Sequence, residues 1–258
     1  MLNQGVVQQK STSINSPVWR LIDWLFPPLC CDCGRISFEI CPDCLSQIHP
    51  IDHRFTCKYC GQNSRGKGIC TDCCQNPPDF DALRAWADYN AVVKTMITHI
   101  KYQHRIGLIP HILTPLLGVI KDWGIQPQLV VPVPLGPKRQ RSRGYNQAAL
   151  IARPIARALD ITYAPQALLR IRETRSQVGL HAADRQHNLA GAFLADQQIC
   201  QDKSILLVDD IATTGTTLRE CARALKQASA RQVYAFTVAR TNLYPNSHKS
   251  KTEVINEG

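Results

Sequence analysis

Two adjacent carboxylates, Asp209 and Asp210, stand between an apolar run, Ile205 to Val208, and a hydroxyl-rich segment, Thr213-Thr214-Gly215-Thr216-Thr217. An apolar run of this length reads as a buried strand that delivers both acids to the carboxyl edge of a sheet, where α/β folds bind ligands. Beyond them, a Thr/Gly loop opening a helix offers backbone N–H groups, hydroxyls and the positive end of a helix dipole to a phosphate. Gly215 permits close backbone approach, and paired carboxylates can accept hydrogen bonds from both hydroxyls of a ribose diol. Strand, diacid and cradle together describe a ribose 5-phosphate site. The loop lacks the Gly-Lys-Ser/Thr ending of a Walker A motif.

The cysteines point to a second chemistry. Of the 12 in the chain, ten lie between Cys30 and Cys74, and eight form Cys-x-x-Cys pairs: Cys30/Cys33, Cys41/Cys44, Cys57/Cys60 and Cys70/Cys73. Glycine follows the second cysteine in two pairs, at Gly34 and Gly61, where a tight turn can aim amides at thiolate sulfur. Eight thiolates suit two structural Zn²⁺ ions, each with four ligands. Disulfides, a single redox Cys-x-x-Cys and an iron–sulfur cluster fit this pattern less well. Sequential and interleaved pairing both remain open, and His49 and His53 lie between the pairs as alternative ligands. Cys31 and Cys74 read as spare thiols. The segment has few large apolar residues, so its folding is expected to depend on the metal.

The net charge of +10 is concentrated: residues 101–190 hold 13 basic and 4 acidic residues. Lys138, Arg139, Arg141 and Arg143 form the densest cluster, four cations in six residues that can neutralise a pyrophosphate or a nucleic-acid backbone, where the plainer alternative is a solvated basic loop. Such an excess suggests a polyanionic or phosphate-rich partner, against the plainer reading of a solvated basic surface. Tyr102 and Tyr145 lie near basic residues and could stack on bases or simply pack. Lys101 stands at a helix end, where it could meet the dipole.

Several elements must position these groups. Ala82 to Tyr89, Leu129 to Val133, Ser204 to Val208 and Gln232 to Val238 read as strands. Ala91 to Tyr102, Ile112 to Ile120, Ala148 to Leu159 (disturbed at Pro154) and Thr216 to Ser229 read as helices. The alternation predicts an α/β domain with a mainly parallel sheet flanked by helices over residues 81–240. Residues 26–80 form a small Cys-rich zinc-binding domain ahead of it. Residues 1–25 are read as a tail and a helix, and 241–258 as a disordered tail. Hydrophobic residues at 44% exclude a largely disordered chain, and no apolar run is long enough to cross a bilayer. The polar N-terminus has no secretory core, so a cytoplasmic location is expected.

The diacid loop resembles the PRPP-binding signature of type I phosphoribosyltransferases. From about Phe26 to Arg240 the chain resembles the ComF family, also called ComFC or GntX-like. The matching pieces are Cys30-x-x-Cys33-Gly34, Cys57-x-x-Cys60-Gly61, Lys101-Tyr102, Val131-Pro-Val-Pro-Leu135, Arg143-Gly-Tyr-Asn-Gln147 and the diacid loop. Tyr145 stands where the family often has Phe, and the termini match nothing. The resemblance implies a zinc segment ahead of a type I phosphoribosyltransferase-like domain. It implies that Asp209 and Asp210 are the catalytic pair holding the ribose hydroxyls of PRPP. Ala212 to Thr217, that is Ala212, Thr213, Thr214, Gly215, Thr216 and Thr217, would hold its 5-phosphate, Val133 and Pro134 would supply the pyrophosphate loop, and Mg²⁺ would accompany PRPP. Lys101, Lys138, Arg139, Arg141, Arg143 and Arg185 would meet polyanion, with Gln177 and Asn188 in a loop near the ligand. The family's association with natural transformation implies single-stranded DNA and competence proteins, such as a helicase-like translocase, as partners. Three functions follow as expectations: ribose-phosphate binding with single-stranded DNA handling, an active phosphoribosyltransferase of unknown acceptor base, or a zinc-stabilised scaffold.

Overall fold

The computed structural model describes residues 27–64, 66, 68–172 and 189–241. The helix expected ahead of residue 27, the tail from 242 and the segment holding Gln177, Arg185 and Asn188 lie outside the described residues.

The Cys-rich segment is one small design used twice. In each half the first Cys-x-x-Cys sits on a turn closed by a left-handed glycine, Gly34 (φ 75°) or Gly61 (φ 70°). The second sits at the start of a short helix: α1 (Pro42–Ser46) after Cys41, and α2 (Thr71–Gln75) after Cys70. Positive φ costs an L-residue about 1–2 kcal/mol, which is why glycine follows the knuckle.

The larger unit runs β1 (Ala82–Asp88), α3 (Ala91–Tyr102), α4 (Ile109–Asp122), β2 (Leu129–Pro132), α5 (Pro137–Arg143), α6 (Gln147–Leu159), β3 (Thr162–Tyr163), β4 (Leu168–Arg170), β5 (Phe193–Ala195), α7 (Gln197–Cys200), β6 (Ser204–Ala212), α8 (Thr216–Gln227) and β7 (Gln232–Arg240). Five strands make one sheet in the order β1-β7-β6-β2-β3, every pair parallel. β4 and β5 form a separate antiparallel pair.

β6 is central and explains the two cores. Its side chains alternate between faces. Leu206 and Val208 join α3, α4 and α6 on one side, while Ile205 and Leu207 join α8 and the β4–β5 pair on the other. Both faces are therefore dry, which accounts for the unbroken apolar run in the sequence. The first core also contains Cys30, Ile40, Cys44 and Ile48, so the first knuckle packs into the same apolar cluster as the helices.

β1 is an edge strand, and the Cys-rich segment covers it. Ile51 N donates to Trp86 O at 2.9 Å, Asp88 N to His49 O at 3.1 Å and Leu83 N to Tyr59 O at 2.6 Å. Gly61 lies so close that an added Cβ would sit 2.7 Å from Leu83 O.

Three expectations change. The basic cluster Lys138–Arg143 is a helix rather than a loop: Pro137 opens it and Gly144, left-handed at φ 74°, ends it. α6 continues through Pro154. β6 runs on to Ala212, so the two acids lie within the strand and not beyond it.

Candidate phosphate-sugar site

The pocket opens at the carboxyl ends of β2 and β6, with a volume of about 670 Å³. Asp209 and Asp210 line it from β6, Val133 and Pro134 from the segment after β2, and Thr213 and Thr217 from the hydroxyl-rich loop. Lys101, Arg139, Arg143 and Arg170 also line it, so four cations face two acids. That balance suits a ligand carrying several negative charges.

The diacid is held by its own backbone. Asp210 N donates to Asp209 Oδ1 at 2.8 Å, and Ile211 N donates to Asp210 Oδ1 at 3.0 Å. Asp210 is buried, and its Oδ2 forms a close ion pair with Lys101 Nζ from the end of α3. Burial pushes the Asp209 carboxyl well above the usual range, and the neighbouring Asp210 charge adds to this, while Lys101 works against it.

The loop beyond is open. Gly215 (φ 80°) is the N-cap of α8, and a Cβ placed there would meet nothing within 4 Å. The Thr214 and Thr216 hydroxyls bond each other at 2.8 Å. Among the described residues the amides of Thr213, Thr214, Gly215 and Thr217 meet no acceptor. Free amides at the start of a 12-residue helix are the geometry that receives an oxyanion.

The segment Arg143 to Gln147 stitches the opposite wall. Arg143 donates to Gln147 Oε1 at 2.9 Å and to the Tyr102 hydroxyl at 3.0 Å, with its guanidinium 4.7 Å from the Tyr102 ring centroid. The Tyr145 hydroxyl donates to Ile100 O, and His104 meets its ring edge-on at 5.0 Å. Asn146 donates to Val133 O at 2.9 Å and caps α6 by accepting from Ala148 N at 2.9 Å. One pentapeptide thus fixes the ends of α3, β2, α5 and α6.

Family comparisons agree with this architecture. Residues 146–257 match the phosphoribosyl transferase domain, and residues 21–74 match the double zinc ribbon domain. The DNA utilization protein YhgH of Salmonella typhimurium is 30% identical over 227 residues, covering 86% of this chain and 92% of the relative. The chain belongs to the ComF family. Competence protein F of Haemophilus influenzae is 29% identical, covering 78% of this chain and 90% of its own length. Competence protein ComFC of Bacillus subtilis is 25% identical, covering 79% and 85% respectively.

The ribbon of this ComF-family chain groups its thiols sequentially. Cys30, Cys33, Cys41 and Cys44 form one cluster, and Cys57, Cys60, Cys70 and Cys73 the other, with all four sulfurs of each within 4.8 Å of one another. Four thiolates on a tetrahedral Zn²⁺ lie about 3.8 Å apart, so both clusters fit the ion. Burial alone would raise the Cys30 thiol, but the amides of Cys33, Asp32 and Cys41 outweigh it and bring it to about 6. The Cys41 amide donates to Cys30 Sγ at 3.3 Å, whereas the glycine amides of the turns, Gly34 N and Gly61 N, donate to the carbonyls of Cys30 and Cys57. His49 and His53 belong to neither cluster. Both His53 ring nitrogens are buried, beside the backbone of Ala85.

The pocket gathers only part of the residues singled out in the sequence. Lys101, Val133, Pro134, Arg139, Arg143, Asp209, Asp210, Thr213 and Thr217 line it. Thr214, Gly215 and Thr216 belong to the loop behind, and Ala212 is buried beneath it. Lys138 and Arg141 on α5 are exposed and do not line the pocket. Lys101 is engaged by Asp210 rather than presented to solvent. Tyr145 packs, whereas Tyr102 is exposed at the rim. Arg170, which opens the segment read as lying near the ligand, lines the pocket, as do His104 and Gln147, which had not been assigned to it. Gln147 stood in the matched Arg143–Gln147 motif, which was the signal available. No helix among the described residues is long and apolar enough to cross a membrane.

Proposed function

We propose that the pocket binds a 5-phosphoribosyl ligand, PRPP together with Mg²⁺, and that the protein handles single-stranded DNA in DNA uptake. One observation carries the first part: the diacid and both ends of the amide-rich loop, Thr213 and Thr217, line the same cavity as Arg139 and Arg143. The loop would take the 5-phosphate, Asp209 the ribose diol and the two arginines the pyrophosphate. Mg²⁺ suits the donor set, because hard carboxylate oxygens beside a pyrophosphate are its usual ligands, and Asp209 would share it with the ligand. When bound, it would neutralise charge on the pyrophosphate.

The nucleic-acid part rests on two supports. The relatives carry the names "DNA utilization protein" and "Competence protein". Lys138 and Arg141 are also exposed on the helix whose Arg139, Ser142 and Arg143 line the pocket. A cytoplasmic location and a helicase-like partner accompany this reading.

Calorimetric titration with PRPP and Mg²⁺, repeated with a short single-stranded oligonucleotide present, tests both parts. We expect PRPP binding that Asp209→Asn with Asp210→Asn abolishes. Unaltered PRPP affinity in that double variant rejects the site. Single-strand affinity should fall with salt at a slope near −0.7 per phosphate contacted, and a flat dependence rejects the DNA reading. Pyrophosphate release in the presence of nucleobases reports whether binding proceeds to transfer.

A further inference from the structure

Arg240, the last residue of β7, is only 4% exposed. Its Nε and Nη1 reach no acceptor among the described residues. A buried charge without a counter-charge costs several kcal/mol, so something must balance it. No carboxylate among the described residues pairs with Arg240 or with Arg84, a half-buried guanidinium of the same region.

Both arginines lie within electrostatic reach of the second Cys cluster. Arg84 donates from Nη1 to the carbonyls of Cys57 and Lys58, each at 3.3 Å. Its favourable electrostatic neighbours are Cys57 and Cys60, and those of Arg240 are Cys60, Cys73, Cys70 and Cys57. Gln62 Nε2 donates to Thr241 O at 3.0 Å, which ties the same knuckle to the residue after Arg240. Zn²⁺ with four thiolates carries a net charge of about −2, and two guanidiniums restore neutrality. The first cluster differs: Arg35 pairs with Asp43, Arg105 pairs with Glu39, and Cys33 is exposed.

We propose that Arg240, fully buried, and Arg84, half-buried, are the counter-charges of a metal tetrathiolate at Cys57, Cys60, Cys70 and Cys73, making it the slower of the two centres to exchange its metal. The unit sits behind the candidate phosphate loop. Thr241 N donates to Ala212 O at 3.0 Å, and Ala212 leads directly into Thr213.

The test uses full-length, Zn²⁺-loaded protein challenged with a chelator. Freed thiols are alkylated and located by peptide mass, so each cluster is followed separately and nothing depends on what the pocket binds. In the wild type, Cys30 to Cys44 should become alkylated first. Arg240→Met should speed alkylation of Cys57 to Cys73 by about 10–100-fold and leave the first set unchanged. Arg240→Lys, which keeps the charge, should stay near the wild-type rate. Should Arg240→Met fail to fold, Arg84→Met provides the same readout at a less buried position. Wild-type rates for the second set in these Met variants overturn the proposal. So does equal acceleration of both sets, or Arg240→Lys behaving like Arg240→Met.

Discussion

Replacing Lys101 by Met separates two roles for this lysine: free cation for a polyanion, or fixed counter-ion of the diacid. Its side chain is 19% exposed and that of Asp210 7% exposed, and the two form an ion pair. Met keeps most of the apolar stem and removes the charge, leaving Asp210 buried beside Asp209 with no cation on it. Breaking a buried pair by removing one partner costs about 3–5 kcal/mol, and the residual exposure of Lys101 places the expectation near ~3 kcal/mol. For a chain of this size each kcal/mol moves the melting point by about 2–4 °C, so a fall of roughly 6–12 °C is expected. Lys138→Met, at an exposed site, should stay within about 0.5 kcal/mol of wild type. Adding Asp210→Asn to Lys101→Met removes the stranded charge and should restore most of the loss, a coupling that a double-mutant cycle reads directly. Thermal and urea unfolding measure wild type, Lys101→Met, Asp210→Asn, the double variant and Lys138→Met. A Lys101→Met variant that melts with the wild type yet loses polyanion affinity would refute the reasoning, because Lys101 would then be free for ligand.

Other expectations are independent of that pair. Gly34→Ala and Gly61→Ala share a left-handed backbone penalty of about 1–2 kcal/mol, but only at Gly61 does the new Cβ meet backbone, at 2.7 Å from Leu83 O. Gly61→Ala should therefore be the costlier in urea unfolding, and equal losses would show that the knuckle does not press on β1. Asp209 holds its proton more tightly in the fold than in the unfolded chain, so its ionisation destabilises the fold as pH rises above the ordinary carboxylate range. Asp209→Asn should thus raise stability at neutral pH, flatten that part of the pH profile and abolish PRPP binding; a less stable variant at pH 7 contradicts the assignment. His53 is held down to about 4, chiefly by burial and then by Arg84. Stability that is full above the unfolded histidine value should therefore fall as pH drops from about 6.5 toward 4, and His53→Gln should lose that dependence in pH-scanned melts. Arg139→Ala should weaken PRPP binding about tenfold or more with little effect on folding, while Arg141→Ala should leave it unchanged and lower only oligonucleotide affinity.

The central strand and its loop were legible because burial on both faces writes an unbroken apolar run, and few folds follow such a run with two acids and five Thr/Gly positions. The cysteine spacing likewise marked the ligands, since the ion's coordination number dictates the count. What could not be read was mostly short or non-local. β3 has two residues and β4 and β5 three each, too few for any periodicity. α5 buries none of its residues, so it carries no apolar stripe, and its proline start and glycine end are the only local marks. The partner of Lys101 lies 109 positions away on another element, a pairing that only tertiary structure reveals. The cysteine pattern likewise says nothing of the packing of Cys30 and Cys44 against α3 and α4.

The covering of β1 has a wider consequence. Three main-chain bonds from the Cys-rich segment close a seven-residue strand that would otherwise present unpaired amides and carbonyls. Open strand borders recruit other chains into growing assemblies. Metal scarcity should therefore betray itself as clumping, visible as rising turbidity, before any change inside the helix-flanked layers. Zinc supply in this protein would act as a guard on solubility.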